Sequence, residues 1–355
     1  MIKLIKVDGF KSLKNFKLEL TEGLNILVGP NGSGKTNILS FFQFLGYLME
    51  SNVSEAISRC GGAGAVLSKV ENGFRSSLKA VIHGNVAAGK KVYFYYKYEF
   101  TIGIQHSGEL FTFRYQRLQL KRRTVVTRDP RVITEFDLDV SVTKDKEGKT
   151  KAEVASLDRR KLSVREPFFG QGKKLTKPDI VNYIESNLCD NSVSDESLIN
   201  AISMTVRDVM HVGFDIGGGK VYNIVPSLAK IPEDSAKPPG INNDGSGIYS
   251  TLYSIQKASG RERIHLRYGG FYRPFGRRLS QTKVTLDKVV KFIQLANPAI
   301  EKIEVSNDPF DNQLQVRIKI EGDDNTVLPL QSMSDGTIKW ISLMLVIMTD
   351  DSTYS

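Results

Sequence analysis

Cysteine is nearly absent from these 355 residues: Cys60 and Cys189 stand far apart, without the paired spacing of a disulfide framework or a zinc motif. Both are expected as small apolar residues of a reducing compartment. Long apolar runs are missing too. The N-terminus, MIKLIKVDGF, alternates like a strand and has no signal-peptide core. Residues 341–348, the longest apolar run near the end, fall well short of a bilayer span. These absences exclude a disulfide scaffold and a membrane-spanning chain, and predict a cytoplasmic protein without a membrane partner. Acidic excess is also lacking; the formal net charge is +10, which informs only where basic residues cluster. Hydrophobic residues at 40% and charged residues at 25% describe an ordinary globular chain, long enough for one large domain or two.

What is present begins at Gly29-Pro30-Asn31-Gly32-Ser33-Gly34-Lys35-Thr36, which has the spacing G-x-x-x-x-G-K-[ST]. The apolar run 24–28 (LNILV) precedes it as a predicted buried strand, and residues 37–51 follow as a predicted helix with a broad apolar face. Strand, glycine-rich turn and helix together form a phosphate cradle. Gly29, Gly32 and Gly34 let backbone N–H groups approach phosphate oxygens, and the helix N-terminus adds partial positive charge. Lys35 is the candidate for the β- and γ-phosphates and Thr36 for Mg²⁺, with Asn31, Ser33 and Asn37 completing the nucleotide-binding set. The motif predicts binding of a nucleoside triphosphate.

Residues 1–20 read as two strands joined by the bend Phe10-Lys11-Ser12-Leu13. Residues 53–88 read as loop with a weak strand near 77–83, and Gly61-Gly62-Ala63-Gly64 as a flexible connection. The aromatic and β-branched runs 91–104 and 109–120 predict an antiparallel sheet, turned by 105–108. From 126 to 240 the pattern is irregular: 144–151 as a charged hairpin tip, 181–211 partly helical, and 226–240 a linker by composition. Helices are expected at 248–258 and 284–295, and strands at 300–305 and 313–320. Between them, 261–278 (RERIHLRYGGFYRPFGRR) carries Arg261, Arg263, Arg267, Arg273, Arg277 and Arg278 among aromatics and glycines. That mixture suits phosphate contacts with base stacking, or a solvated loop whose aromatics turn inward. Near the end, Ser334-Asp335-Gly336-Thr337 opens an apolar helix, with Ser334 placed as N-cap.

Residues 1–42, through Phe10-Lys11-Ser12, the lead-in 23–28 and Gly29 to Asn37, resemble the N-terminal lobe of ABC-type chromosome-maintenance and repair ATPases, the RecF, Rad50 and SMC group. The resemblance extends to their AAA-like branch, which includes OLD-family nucleases and the ATPase subunits of Septu- and retron-type anti-phage systems. It implies an α/β ABC-ATPase head: a P-loop core and antiparallel β-lobe (1–125), a large insertion (126–240), and a C-terminal lobe (241–355). It also implies that Ser334, Asp335, Gly336 and Thr337 form a signature meeting nucleotide in trans, so that copies pair head to tail or assemble further. A glutamine of the β-lobe, Gln116 or Gln119, is implied at the metal or attacking water. The Walker-B aspartate and catalytic glutamate have no counterpart before residue 355, which leads us to expect a longer protein. The implied function is an ATPase acting on or sensing nucleic acid in defence or repair, with ATP and Mg²⁺ as cofactors and an effector such as a nuclease as partner. The alternative is a non-hydrolysing, nucleotide-gated scaffold that restrains a nuclease or toxin.

Overall fold

The computed structural model describes residues 1–71, 73–89, 92–104, 111–123, 135–145, 148–164, 176–188, 195–258, 284–308, 310–322 and 327–349. They divide into two compact units, one ending at Lys220 and one running from Val221.

In the first unit, β1 (Ile2–Asp8) turns Ile5 and Val7 into the core. The chain bends at Phe10, bridged to Leu13, and returns as β2 (Phe16–Glu19) antiparallel to β1. α1 (Lys35–Glu50) buries Phe41, Phe44, Leu45 and Leu48. α2 (Val53–Arg59) is capped by Asn52, whose side chain accepts from Glu55 N–H. After α3 (Ala63–Val66) and the small hairpin β3 (Lys69–Val70) and β4 (Gly73–Phe74) come three long strands: β5 (Ser77–Ala87), β6 (Tyr93–Ile104) and β7 (Phe111–Arg123). β8 (Leu138–Lys144) and β9 (Thr150–Leu157) follow, and α4 (Lys177–Leu188), α5 (Leu198–Ser203) and α6 (Val209–Gly217) close the unit. The main sheet has the order β2-β1-β5-β6-β7-β8-β9, antiparallel throughout. α1 packs on α6, α6 on β5, α5 and α2 on β7, and α4 on β9, covering one face.

The second unit holds α7 (Pro226–Ala229), α8 (Ile248–Ala258), α9 (Leu286–Ile293), β10 (Ile300–Asn307), β11 (Leu314–Ile320), β12 (Val327–Pro329) and α10 (Asp335–Thr349). Its strands form an antiparallel sheet in the order β10-β11-β12. Leu252, Ile255, Val289, Ile303, Val316, Ile338 and Ile341 form its core.

Three expectations change. Residues 53–88 are not mainly loop, because they hold two helices and β5, which pairs on both edges with β1 and β6. The 126–240 insertion does not stand apart from the β-lobe: β8 and β9 extend the main sheet, with Lys144 opposite Thr150 at the anticipated hairpin tip. Residues 226–240 are no free linker. Buried Glu233 accepts from Ser250 N–H and Oγ (both 3.0 Å) and from Lys237 Nζ (2.8 Å), and its carbonyl accepts from Leu314 N–H (2.8 Å). Those bonds bind the segment into the second unit, so the compact division falls at 220/221 instead of 240/241.

Candidate functional site

The glycine-rich turn sits where the motif predicts, at the start of α1. Gly32 and Gly34 have φ of 83° and 92°. A side chain at Gly34 would be strained by that φ, and its Cβ would lie 3.1 Å from Ser12 Oγ. Among the described residues no side chain caps α1, which leaves its first N–H groups available to an anion. Lys35 Nζ folds back over the turn and donates to the carbonyls of Gly29 (2.6 Å) and Pro30 (2.7 Å) and to Ser33 Oγ (3.3 Å). Thr36 is exposed in the first helical turn, as Asn31 is in the loop.

Asn37 reaches back to the bend: its side-chain amide donates to Ser12 Oγ at 2.7 Å. The bend carrying Ser12 is itself anchored. Lys11, at φ 48°, donates its N–H to Val66 O (2.7 Å) and accepts from Ser68 Oγ (2.6 Å). Phe10, fully buried, lies edge-on to Phe41 at 5.2 Å between centroids and tilted against Phe44 at 5.5 Å. Phe10 therefore seats α1 while Ser12 steadies its first turn. Ser12 was missing from the sequence-derived site; its only signal was its place in the bend.

The lead-in departs from expectation. Residues 24–28 belong to no strand among the described residues, and Leu24, Ile26 and Val28 are 85%, 72% and 89% exposed. Instead, Asn25 organises a local turn: its Oδ1 accepts from Thr21 N–H at 3.0 Å, and its amide donates to Thr21 O at 2.9 Å. β2 is the edge of the main sheet, and no described strand supplies the ladder that LNILV needs on either side.

In the second unit, α10 starts at the predicted turn. Ser334 Oγ accepts from Thr337 N–H (3.2 Å) and lies 2.9 Å from its hydroxyl, as an N-cap should. Asp335 pairs with Lys230 at 2.9 Å. A Cβ on Gly336 would meet nothing nearer than Ser334 Oγ at 4.0 Å. Lys230, in a segment read as linker, carried no sequence signal.

Gln116 is placed against its assignment to metal or water. It is 2% exposed. Its Oε1 accepts from Tyr98 Oη and Leu198 N–H (both 2.6 Å), and its amide donates to Glu196 O (3.3 Å). Burial pushes the Tyr98 phenol well above its usual range, so it remains a donor. Gln116 thus caps and anchors α5 on β7. Gln119 donates to Asp139 at 2.9 Å within a network that also holds Arg117. Arg261, Arg263, Arg267, Arg273, Arg277 and Arg278 lie outside the described residues. Among the described residues no group of three or more His, Cys, Asp or Glu could hold a metal ion, and no helix is long and apolar enough to cross a membrane.

With this geometry in place, comparison with known proteins shows what the chain is similar to. Residues 1–153, the stretch holding the glycine-rich loop and most of the main sheet, match the family described as AAA ATPase domain. The sequence is 37% identical over 59 residues to the Septu protein PtuA of Bacillus thuringiensis, covering 17% of this chain and 14% of that one. It is 33% identical over 85 residues to the DNA replication and repair protein RecF of Erwinia tasmaniensis, covering 24% and 20%. It is 55% identical over 38 residues to the chromosome partition protein Smc of Desulfitobacterium hafniense, covering 10% and 3%. The matched stretches span a fifth or less of these relatives. A solved Smc head bound to the C-winged helix domain of ScpA aligns over 98% of this chain and 76% of its own, at 14% identity and a TM-score of 0.38, a likeness too slight to add to the sequence match.

Proposed function

We propose that this chain binds ATP at the 29–36 loop and hydrolyses it, and that residues 334–337 of a second copy complete the site, the copies meeting head to tail about a two-fold axis. The observation that carries this is the uncapped N-terminus of α1 with the Lys35 ammonium folded onto the turn's own carbonyls. A triphosphate would replace those contacts with charge-assisted bonds to its oxygens. Gly336 supports the second half of the reading: among the described residues nothing crowds its Cβ position, whereas close approach of a phosphate would require the absence of a Cβ. Thr36 offers one hydroxyl to Mg²⁺, which would arrive with the nucleotide and be held largely by phosphate oxygens, neutralising their charge.

A Septu protein and DNA replication and repair proteins among the matched relatives support action on or sensing of nucleic acid, in anti-phage defence or DNA repair. An effector such as a nuclease is the partner class this reading proposes. Calorimetric titration with ATPγS tests the core of it: the chain binds, Lys35→Ala binds roughly a hundredfold more weakly, and Ser334→Arg binds but stays monomeric. Absence of binding to the unaltered chain would overturn the proposal. Nucleotide-driven pairing without phosphate release would instead favour a non-hydrolysing scaffold.

A further inference from the structure

We infer that Lys230 positions the 334–337 turn for the phosphate it meets in a second copy, an inference that rests on the function proposed above. Asp335 stands at the first position of α10, beside Ser334, and Lys230 Nζ lies 2.9 Å from its Oδ1. The two partners are unequally held. The Asp335 side chain is 72% exposed, the Lys230 side chain only 23%. Behind the ammonium the backbone is fixed: Lys230 N–H donates to Pro226 O (3.0 Å), and its carbonyl accepts from the hydroxyl of Tyr249, itself fully buried, at 2.9 Å. Lys230 is therefore the anchor, and Asp335 is the group it restrains.

A carboxylate here has opposite effects in the isolated and the paired chain. In the isolated chain it suits the positive end of α10. A triphosphate brought against Ser334 and Gly336 meets a like charge. Lys230 holds that carboxylate and sets a positive charge beside the incoming anion, so the turn presents the Ser334 hydroxyl and backbone N–H groups without net repulsion. Lys230 touches no phosphate itself.

The test is ATPγS-driven dimerisation followed by light scattering over protein concentration. Lys230→Met raises the concentration for half-dimerisation by roughly tenfold or more, since an unpaired like charge opposes association. Lys230→Arg retains dimerisation. Adding Asp335→Asn to Lys230→Met restores most of the loss, because the repelling charge is gone. A purely mechanical tether between α7 and α10 would not be rescued by that second change. If Lys230→Met pairs like the unaltered chain, or Asp335→Asn fails to rescue it, the inference is overturned while the proposed function stands. If the unaltered chain binds ATPγS but never pairs, the trans site fails and the inference with it.

Discussion

The two helix N-termini that carry the motifs, α1 and α10, are finished in different ways. α1 begins at a glycine with positive φ, has no side-chain cap, and has its lysine bonded to the turn before it. α10 begins with a hydroxyl cap at Ser334 and a first-turn carboxylate paired to Lys230. Leaving the amides of a helix start uncapped costs stability, and a cap returns about 1 kcal/mol. α1 forgoes that return and is steadied from outside, by Phe10 against Phe41 and Phe44 and by Ser12 against Asn37. The contrast separates a helix start left without a side-chain cap from one capped by its own serine.

Four substitutions or conditions sharpen or break that contrast. Phe10→Ala removes the seat of α1 and should cost roughly 3–5 kcal/mol, read by denaturant unfolding. An unchanged midpoint would mean α1 does not depend on the bend. Lys35→Ala should cost about 2.7 kcal/mol of ATP binding, roughly a hundredfold in affinity, with little change in melting temperature because its present bonds are exposed. Ser334→Ala shows the converse behaviour: about 1 kcal/mol of stability is lost with the cap, and binding of ATP to a lone chain is unaffected. The smallest effect concerns acid. Burial alone would raise the Asp8 pKa, but the Asn15 N–H and the Arg75 guanidinium together hold it below the usual carboxylate value. A depressed folded pKa stabilises above the unfolded value and is lost as pH falls through the folded one. The bend should therefore weaken below about pH 4, by a few tenths of a kcal/mol after screening, and Asp8→Asn should flatten that loss in thermal scans.

The same contrast explains which parts were legible in the sequence. Both helix starts were, because glycine, lysine and serine occupy positions whose local chemistry decides the structure. The aromatic run 91–104 was legible as β structure for the same reason, its side chains suiting a half-buried sheet. β5 was underrated: SLKAVIHGNVA includes Ala, Gly and Asn, and it is held by strands on both sides. Residues 24–28 show the reverse, since LNILV has strand composition but no ladder partner among the described residues. Composition also misled at 226–240, where Pro, Lys and Asp suggested a linker. The buried carboxylate of Glu233, which no local pattern announces, fastens that segment. Gln116 was a candidate by resemblance, and only its tertiary partners Tyr98 and Leu198 reveal a structural role.

The measurement that bears most directly on the trans site is the mass in solution of Lys35→Ala and Ser334→Arg chains, alone and mixed, with ATPγS. Each alone lacks one half of every composite site and should remain monomeric. Mixed, the intact loop of one meets the intact 334–337 turn of the other, so a heterodimer should form at elevated protein concentration. Pairing of Ser334→Arg alone, as readily as the unaltered chain, would contradict the account.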